Sequence, residues 1–96
     1  MITLPPKDPD AVADYGIDWR EFLAADDDHI ATSVFIPDEE SGVTIANDPA
    51  PSFDDDVTLA WLEGGILGEV ARITNRITTT GGRTWDDTMK IRIRRN

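Results

Sequence analysis

Three groups of side chains in this 96-residue chain have the types and spacing to do chemistry. The first is the single histidine, His29, set behind Asp26-Asp27-Asp28, with Ser33, Ser41 and Ser52 elsewhere in the chain. On paper these are the parts of a Ser-His-Asp relay. None of the serines, however, sits in the Gly-x-Ser-x-Gly turn that presents a hydrolase nucleophile. Asp27 with His29 makes at most a weak metal pair, since a lone histidine without cysteine or a second histidine does not complete a zinc site. The second group is the two aspartate triplets, Asp26, Asp27, Asp28 and Asp54, Asp55, Asp56. They carry the hard oxygens that calcium takes. Neither matches the Asp-x-Asp-x-Asp-Gly loop closed by a glutamate at its twelfth position, and each precedes a strand, where carboxylates solvate a loop and discourage edge pairing. The third group is Gly64-Gly65 and Gly81-Gly82. No Gly-Lys-Ser/Thr follows either pair, so they read as turn glycines and not as phosphate loops. No catalytic residue and no cofactor is expected.

The elements that would position these groups are short strands. Val57–Glu63 ends at Gly64-Gly65, Glu69–Thr80 ends at Gly81-Gly82, and Thr88–Arg94 closes the chain. Along Glu69–Thr80 the alternation puts Ala71, Ile73, Asn75, Ile77 and Thr79 on one face and Val70, Arg72, Thr74, Arg76 and Thr78 on the other. In the last strand Met89, Ile91 and Ile93 point inward, with Lys90, Arg92 and Arg94 outward. Pairing of these two strands across Gly81-Gly82 gathers the basic residues on one sheet face. Upstream, His29–Ile36 reads as a strand stopped by Pro37, with Ile30, Thr32, Val34 and Ile36 on one face. Val43–Ala46 is a shorter one. Tyr15–Leu23 is a short strand running into one helical turn, with Asp18 as N-cap and Glu21 at capping-box spacing. Trp61 is expected in the core or between sheets. Trp85, placed in a loop after the turn, is either an interface anchor or a cap on the end of the domain.

Strands at this spacing predict an all-β chain, a small antiparallel Ig-like β-sandwich of six to eight short strands, with a small barrel as the alternative. Residues 1–14 hold three of the six prolines and no periodic pattern, and are expected as an extended Pro-rich N-terminal arm ahead of a single domain over 15–96.

Composition narrows the function classes. Net charge is −10, distributed unevenly. Residues 1–66 hold two basic side chains against sixteen acidic ones (−14), and residues 67–96 hold seven against three (+4). The acidic balance argues against nucleic-acid binding. The asymmetry permits head-to-tail contact between copies or attraction to a neighbour, although the two sets also read as solvated faces of one molecule. Without cysteine there is no disulfide framework. The N-terminal residues lack the basic start and apolar core of a signal peptide, and no apolar run is long enough to cross a bilayer.

The order of several short motifs carries a resemblance. They are Tyr15, Asp18, Trp19 and Leu23; Ile30, Ala31 and Ser33; Trp61, Leu62, Gly64 and Gly65; then Asn75, Ile77, Thr78, Thr79, Gly82, Arg83 and Thr84. Over about residues 15–94 the chain resembles the phage fiber-tail adaptor proteins, small proteins of tailed bacteriophages and prophages. It departs from that pattern near Ala71, where an aromatic is usual, and in its acidity before Leu67. The resemblance implies an Ig-like virion protein bridging tail or baseplate and fibre, without enzymatic activity. It implies partners among the other tail, baseplate and fibre proteins, many copies in a symmetric assembly, and a place in the virion tail after synthesis in the host cytoplasm. Nucleic acid, membrane and small-molecule substrate are not expected as partners. A head-tail connector or capsid decoration part, and a Ca2+- or carbohydrate-binding β-module, are the alternative functions. Arg72, Arg76, Trp85, Lys90, Arg92 and Arg94 are the interface candidates.

Overall fold

The computed structural model describes residues 2–95, and Met1 and Asn96, the outermost residues of the expected bounds, lie outside them. Its elements are β1 (Ile2–Thr3), β2 (Ala13–Asp18), α1 (Arg20–Ala24), β3 (Ile30–Pro37), β4 (Val43–Ile45), β5 (Ser52–Phe53), β6 (Val57–Gly64), β7 (Val70–Thr79) and β8 (Thr84–Arg92). They form two sheets. One has the order β1-β8-β7-β3, and the other has β6 at its centre, with β2 on one side and β4 and β5 on the other. All pairs are antiparallel except β1 with β8. The β3-β7-β8 set facing the β2-β6-β4 set is the Greek-key arrangement of the Ig sandwich.

The core lies between the sheets. Alternation along β7 and β8 places Ala71, Ile73, Ile77, Met89 and Ile91 there, all fully buried, with Ile93 just beyond β8. Phe35 joins them from β3 of the same sheet, Leu62 from the facing sheet, and Trp19 and Leu23 from the α1 corner. The second face of β7 stays outward because an antiparallel hairpin fixes its register through its turn. Thr78 sits opposite Thr84, and the Thr79 N–H donates to the Arg83 carbonyl at 2.8 Å.

Several expected details differ. β8 begins at Thr84 and not at Thr88, so Trp85 is a strand residue opposite Ile77 and not a loop residue. The turn is tight enough for pairing to resume at once. In β3 the register shifts between Ile30 and Thr32. The extra residue reverses the faces, so Phe35 points inward while Val34 and Ile36 stand 49% and 41% exposed. In β6 the buried face carries Thr58, Ala60 and Leu62, leaving Trp61 half-buried outside the core cluster. The small face is turned inward because the Thr58 hydroxyl donates to Asn75 of the opposite sheet at 2.7 Å. The helical cap is Trp19 and not Asp18. Asp18 instead accepts the Arg20 N–H and grips its guanidinium at 2.6 Å, so no capping box forms.

The proline-rich N-terminal segment lies along the open edge of β8. Leu4 N–H donates to the Lys90 carbonyl, Lys7 N–H to the Arg92 carbonyl, and Arg94 N–H returns to the Lys7 carbonyl. The Lys7 side chain is buried, and its ammonium donates to the Gly64 and Asp8 carbonyls at 2.7 and 2.9 Å. Burial pushes that ammonium below the usual lysine range, with Asp8, Asp10 and Glu63 acting against the shift.

Candidate functional site

The even-numbered residues of β7 and β8 form the outer face of one sheet, and this is where the basic side chains gather. Arg72 stands directly across from Lys90, Arg92 across from Val70, and Arg76 across from Asp86. Arg76 is neutralised in place, since its guanidinium donates to both Asp86 oxygens at 2.8 and 3.0 Å. The pairing holds the Asp86 carboxyl below the usual range and the Arg76 guanidinium above its own. Arg72, Lys90, Arg92 and Arg94 make no ion pair among the described residues. Three of these four, with Thr3, Leu4, Pro6 and Val70, line an open cleft of about 280 Å³ where the N-terminal segment meets the sheet.

The far end of the sandwich carries the acidic triplets, and their members do different work. Asp28 is 6% exposed. Its oxygens accept from the Thr80 hydroxyl, the Gly81 and His29 N–H groups and the Arg83 guanidinium, all between 2.9 and 3.1 Å. The Thr79 hydroxyl, burial's opposing effect notwithstanding, and then the N–H groups of Gly81 and His29 hold this carboxyl well below the usual range. Asp28 thus ties the β7–β8 turn to the start of β3. A Cβ at Gly81 would come within 2.6 Å of the Arg83 guanidinium and 3.0 Å of the Asp28 carboxylate, so a larger residue there would push this ion pair aside. Asp26 lies 3.5 Å from Arg83, and Asp56 lies 4.0 Å from His29. Asp54 spends one oxygen on the N–H groups of Asp56 and Val57, which holds its carboxyl below the usual range, in the same direction as Asp28. Asp27 adopts a φ of 50°, a left-handed conformation that short polar side chains tolerate. Among the described residues no three His, Cys, Asp or Glu side chains are grouped to hold a metal ion.

The serines take structural parts. The Ser33 hydroxyl accepts from Asn75 at 2.9 Å, and the Ser41 hydroxyl accepts the Val43 N–H at 3.3 Å. Ser52 sits exposed in β5. At the same end as the triplets, Trp85 packs edge-on to Phe22 with centroids 4.5 Å apart, and Phe22 packs edge-on to Trp19 at 5.7 Å. Trp85 is 37% exposed and Phe22 48%. Trp85 therefore caps the sandwich and still presents apolar surface. Beside it Asp18, Glu21, Phe22, Asp86 and Asp87 line a second open cleft.

Asn75, Lys7 and Asp28 are the residues whose roles sequence reasoning missed. Asn75 is fully buried, and its Oδ1 accepts from Trp19 Nε1 at 3.0 Å and Thr58 Oγ1 at 2.7 Å. Its Nδ2 donates to Ser33 and to the Val34 carbonyl. An asparagine on the apolar face of an alternating strand was the available signal, since an amide there must find partners.

No curated protein matches this chain. The residues carrying the motif order prove to be the ones that knit the sandwich: Trp19, Ser33 and Asn75 in one network, Thr79, Gly82 and Arg83 in the turn that Asp28 secures. The same arrangement is matched from residue 7 to residue 92 by the family described as Podophage GP4 fiber-tail adaptor protein gp77, so this chain belongs to that family of structural phage proteins that link tail to fibre.

Proposed function

We propose that the chain works as a passive adaptor in the virion tail, with Arg72, Lys90, Arg92 and Arg94 of its outer sheet face as one docking surface and the acidic, aromatic end as another. The observation that carries this reading is the contrast of charge. A chain of net charge −10 sets Arg72, Lys90, Arg92 and Arg94 together on one sheet face, with no ion-pair partner among the described residues. Such a face attracts an acidic surface of a tail or fibre protein and repels basic ones, which gives orientation more than raw affinity. Repetition in many copies around the tail would make modest contacts add through avidity. The adaptor role asks for no catalytic residue, cofactor, nucleic acid or membrane. No helix among the described residues is long and apolar enough to cross a membrane. The protein is made in the bacterial host cytoplasm and enters the particle during assembly.

Charge reversal tests the docking face. The variant Arg72→Glu/Lys90→Glu/Arg92→Glu changes only outward side chains, so its circular dichroism should match the parent. It should be depleted from purified particles when supplied in place of the parent. Normal incorporation would refute the assignment of this face.

A further inference from the structure

The cleft beside the end of β8 owes its shape to a proline. In a parallel ladder, every second N–H of one strand donates to every second carbonyl of its neighbour. The Leu4 N–H donates to the Lys90 carbonyl, so residue 6 is next in line for the Arg92 carbonyl. Pro6 has no N–H to give. Lys7 takes that place, and the segment spends three residues where β8 spends two. The extra residue must leave the line of the ladder, as it does in a β-bulge. Thr3, Leu4 and Pro6 thereby line one side of an open cleft, and Val70 of β7, across from Arg92, lines the other. Lys90, Arg92 and Arg94 complete it. The acidic residues of the same N-terminal segment, Asp8 and Asp10, engage Arg95 at 3.7 and 2.9 Å. None of the three cations in the cleft makes an ion pair among the described residues.

We infer that this cleft takes an extended acidic segment of a tail or fibre protein, one apolar side chain seated against Leu4, Pro6 and Val70 and carboxylates on either side of it meeting Lys90, Arg92 and Arg94. Size, chemistry and spacing each favour that occupant. The cleft holds about 280 Å³, just under the range of about 300–1,000 Å³ for sites that enclose a small molecule. It suits a side chain or two and not a cofactor. The cations recur at every second residue, about 7 Å apart by strand rise. An extended peptide repeats its own same-side groups at that interval, so alternate acidic positions fall in step with them. A nucleic acid would answer the cations, but Leu4, Pro6 and Val70 offer no flat ring for a base to stack on. The inference rests on the docking face assigned above and names what that face receives.

The test is a titration of the isotope-labelled full chain with a synthetic peptide, followed in amide NMR spectra at about 0.15 M salt. The probe is Asp-Ser-Asp-Ser-Leu-Ser-Asp-Ser-Asp with both termini blocked. A chain of net charge −10 repels such a probe except where a local cationic site outweighs the rest. Shifts should saturate and cluster at Thr3, Leu4, Val70 and from Lys90 to Arg94. A probe with serine for its leucine should bind about 10-fold more weakly. One with asparagine for its aspartates should not bind measurably. These two comparisons leave the protein untouched, so a folding fault cannot mimic them. Arg92→Gln/Arg94→Gln should weaken binding of the original probe about 10-fold. Arg20→Glu, exposed at the other end of the sandwich, should leave it unchanged, although both variants move the net charge from −10 to −12. No saturable shift at millimolar probe would overturn the inference. So would shifts centred elsewhere, equal binding of the asparagine probe, or tighter binding of a single-stranded DNA oligonucleotide of the same net charge. The cleft and the docking face fail separately. Exclusion of the charge-reversed variant from particles, with no peptide bound here, would keep the face and remove the cleft. Peptide binding with normal incorporation would keep the cleft and remove its part in docking.

Discussion

Replacing Asn75 with leucine should be among the costliest single changes in this domain, and its size follows from the four bonds the amide makes. Two partners cannot turn to solvent: Trp19 is 4% exposed and Thr58 is fully buried. Stranding a buried donor or acceptor costs about 1–3 kcal/mol. Ser33 is half-exposed and can bond to water, so its loss counts for little. The Trp19 indole N–H and the Thr58 hydroxyl together set a cost of about 2–6 kcal/mol, from which the apolar gain of a buried leucine removes about 1–2 kcal/mol. A net loss of about 3 kcal/mol is expected against a total of about 5–15 kcal/mol for a domain of this size. In urea, with an m-value of about 1–1.5 kcal/mol/M, the midpoint should fall by roughly 2–3 M with m unchanged. Removing the hydroxyl as well, in Asn75→Leu/Thr58→Val, deletes one stranded donor. The double variant should then be more stable than the sum of the two single losses by about 1 kcal/mol. A loss below about 1 kcal/mol for Asn75→Leu, or strict additivity in the double variant, would refute the account of this network.

Three further outcomes follow from the same geometry. Asp28→Asn should lower the melting temperature at neutral pH. Because the folded carboxyl titrates below its unfolded range, its contribution is complete above about pH 4 and fades as pH falls, so parent and variant melting curves should converge in acid, and a constant gap would contradict the assignment. Lys7→Ala should destabilise by about 2–3 kcal/mol, since it removes a buried stem and the donor to the Gly64 carbonyl. Lys7→Met should recover part of that in chemical denaturation, and equal losses would show that the stem contributes nothing. Gly65→Ala places a Cβ 2.9 Å from Ile93 at φ 114° and should cost about 1–3 kcal/mol, read from the same denaturation curves.

Much of the sheet architecture was legible because period-2 alternation is a local property. The inward sets on β7 and β8 follow directly from spacing, as does the gathering of Arg72, Lys90 and Arg92 on one face. Details that depend on a partner across space were not legible. The shift near Ala31 inverts β3, and nothing in Ile30–Ile36 announces it, because Ile, Thr, Val and Phe suit either face. Trp61 looked like core by size, yet the buried face of β6 was decided by Thr58 meeting Asn75 across the sheets. Lys7 looked like the solvated charge of an arm. Its burial depends on the Gly64 carbonyl, fifty-seven positions away. Among the candidate site residues, Arg76 could not be told from its basic neighbours until Asp86 was placed opposite. Of the six aspartates in the triplets, only the fold distinguishes Asp28, which secures a turn, from Asp55, whose side chain stands in solvent.

An adaptor must keep two surfaces at a fixed separation, and the buried polar groups of this domain serve that need. Among the described residues no buried side-chain polar atom lacks a partner. Three of these residues bond across elements: Asn75 joins β7 to β3, β6 and the α1 corner, Asp28 joins the β7–β8 turn to the start of β3, and Lys7 joins the N-terminal segment to β6. An apolar core alone would hold the sheets together but tolerate small slides between them, since hydrophobic burial is not directional. Directional bonds at both ends and at the centre forbid those slides. Docking then costs little ordering, and modest contacts at each end can be spent on affinity instead. The same reasoning explains why Trp19, Leu62, Asn75, Ile77 and Thr79 lie in the interior. They fix the frame on which the charges of the outer face are carried.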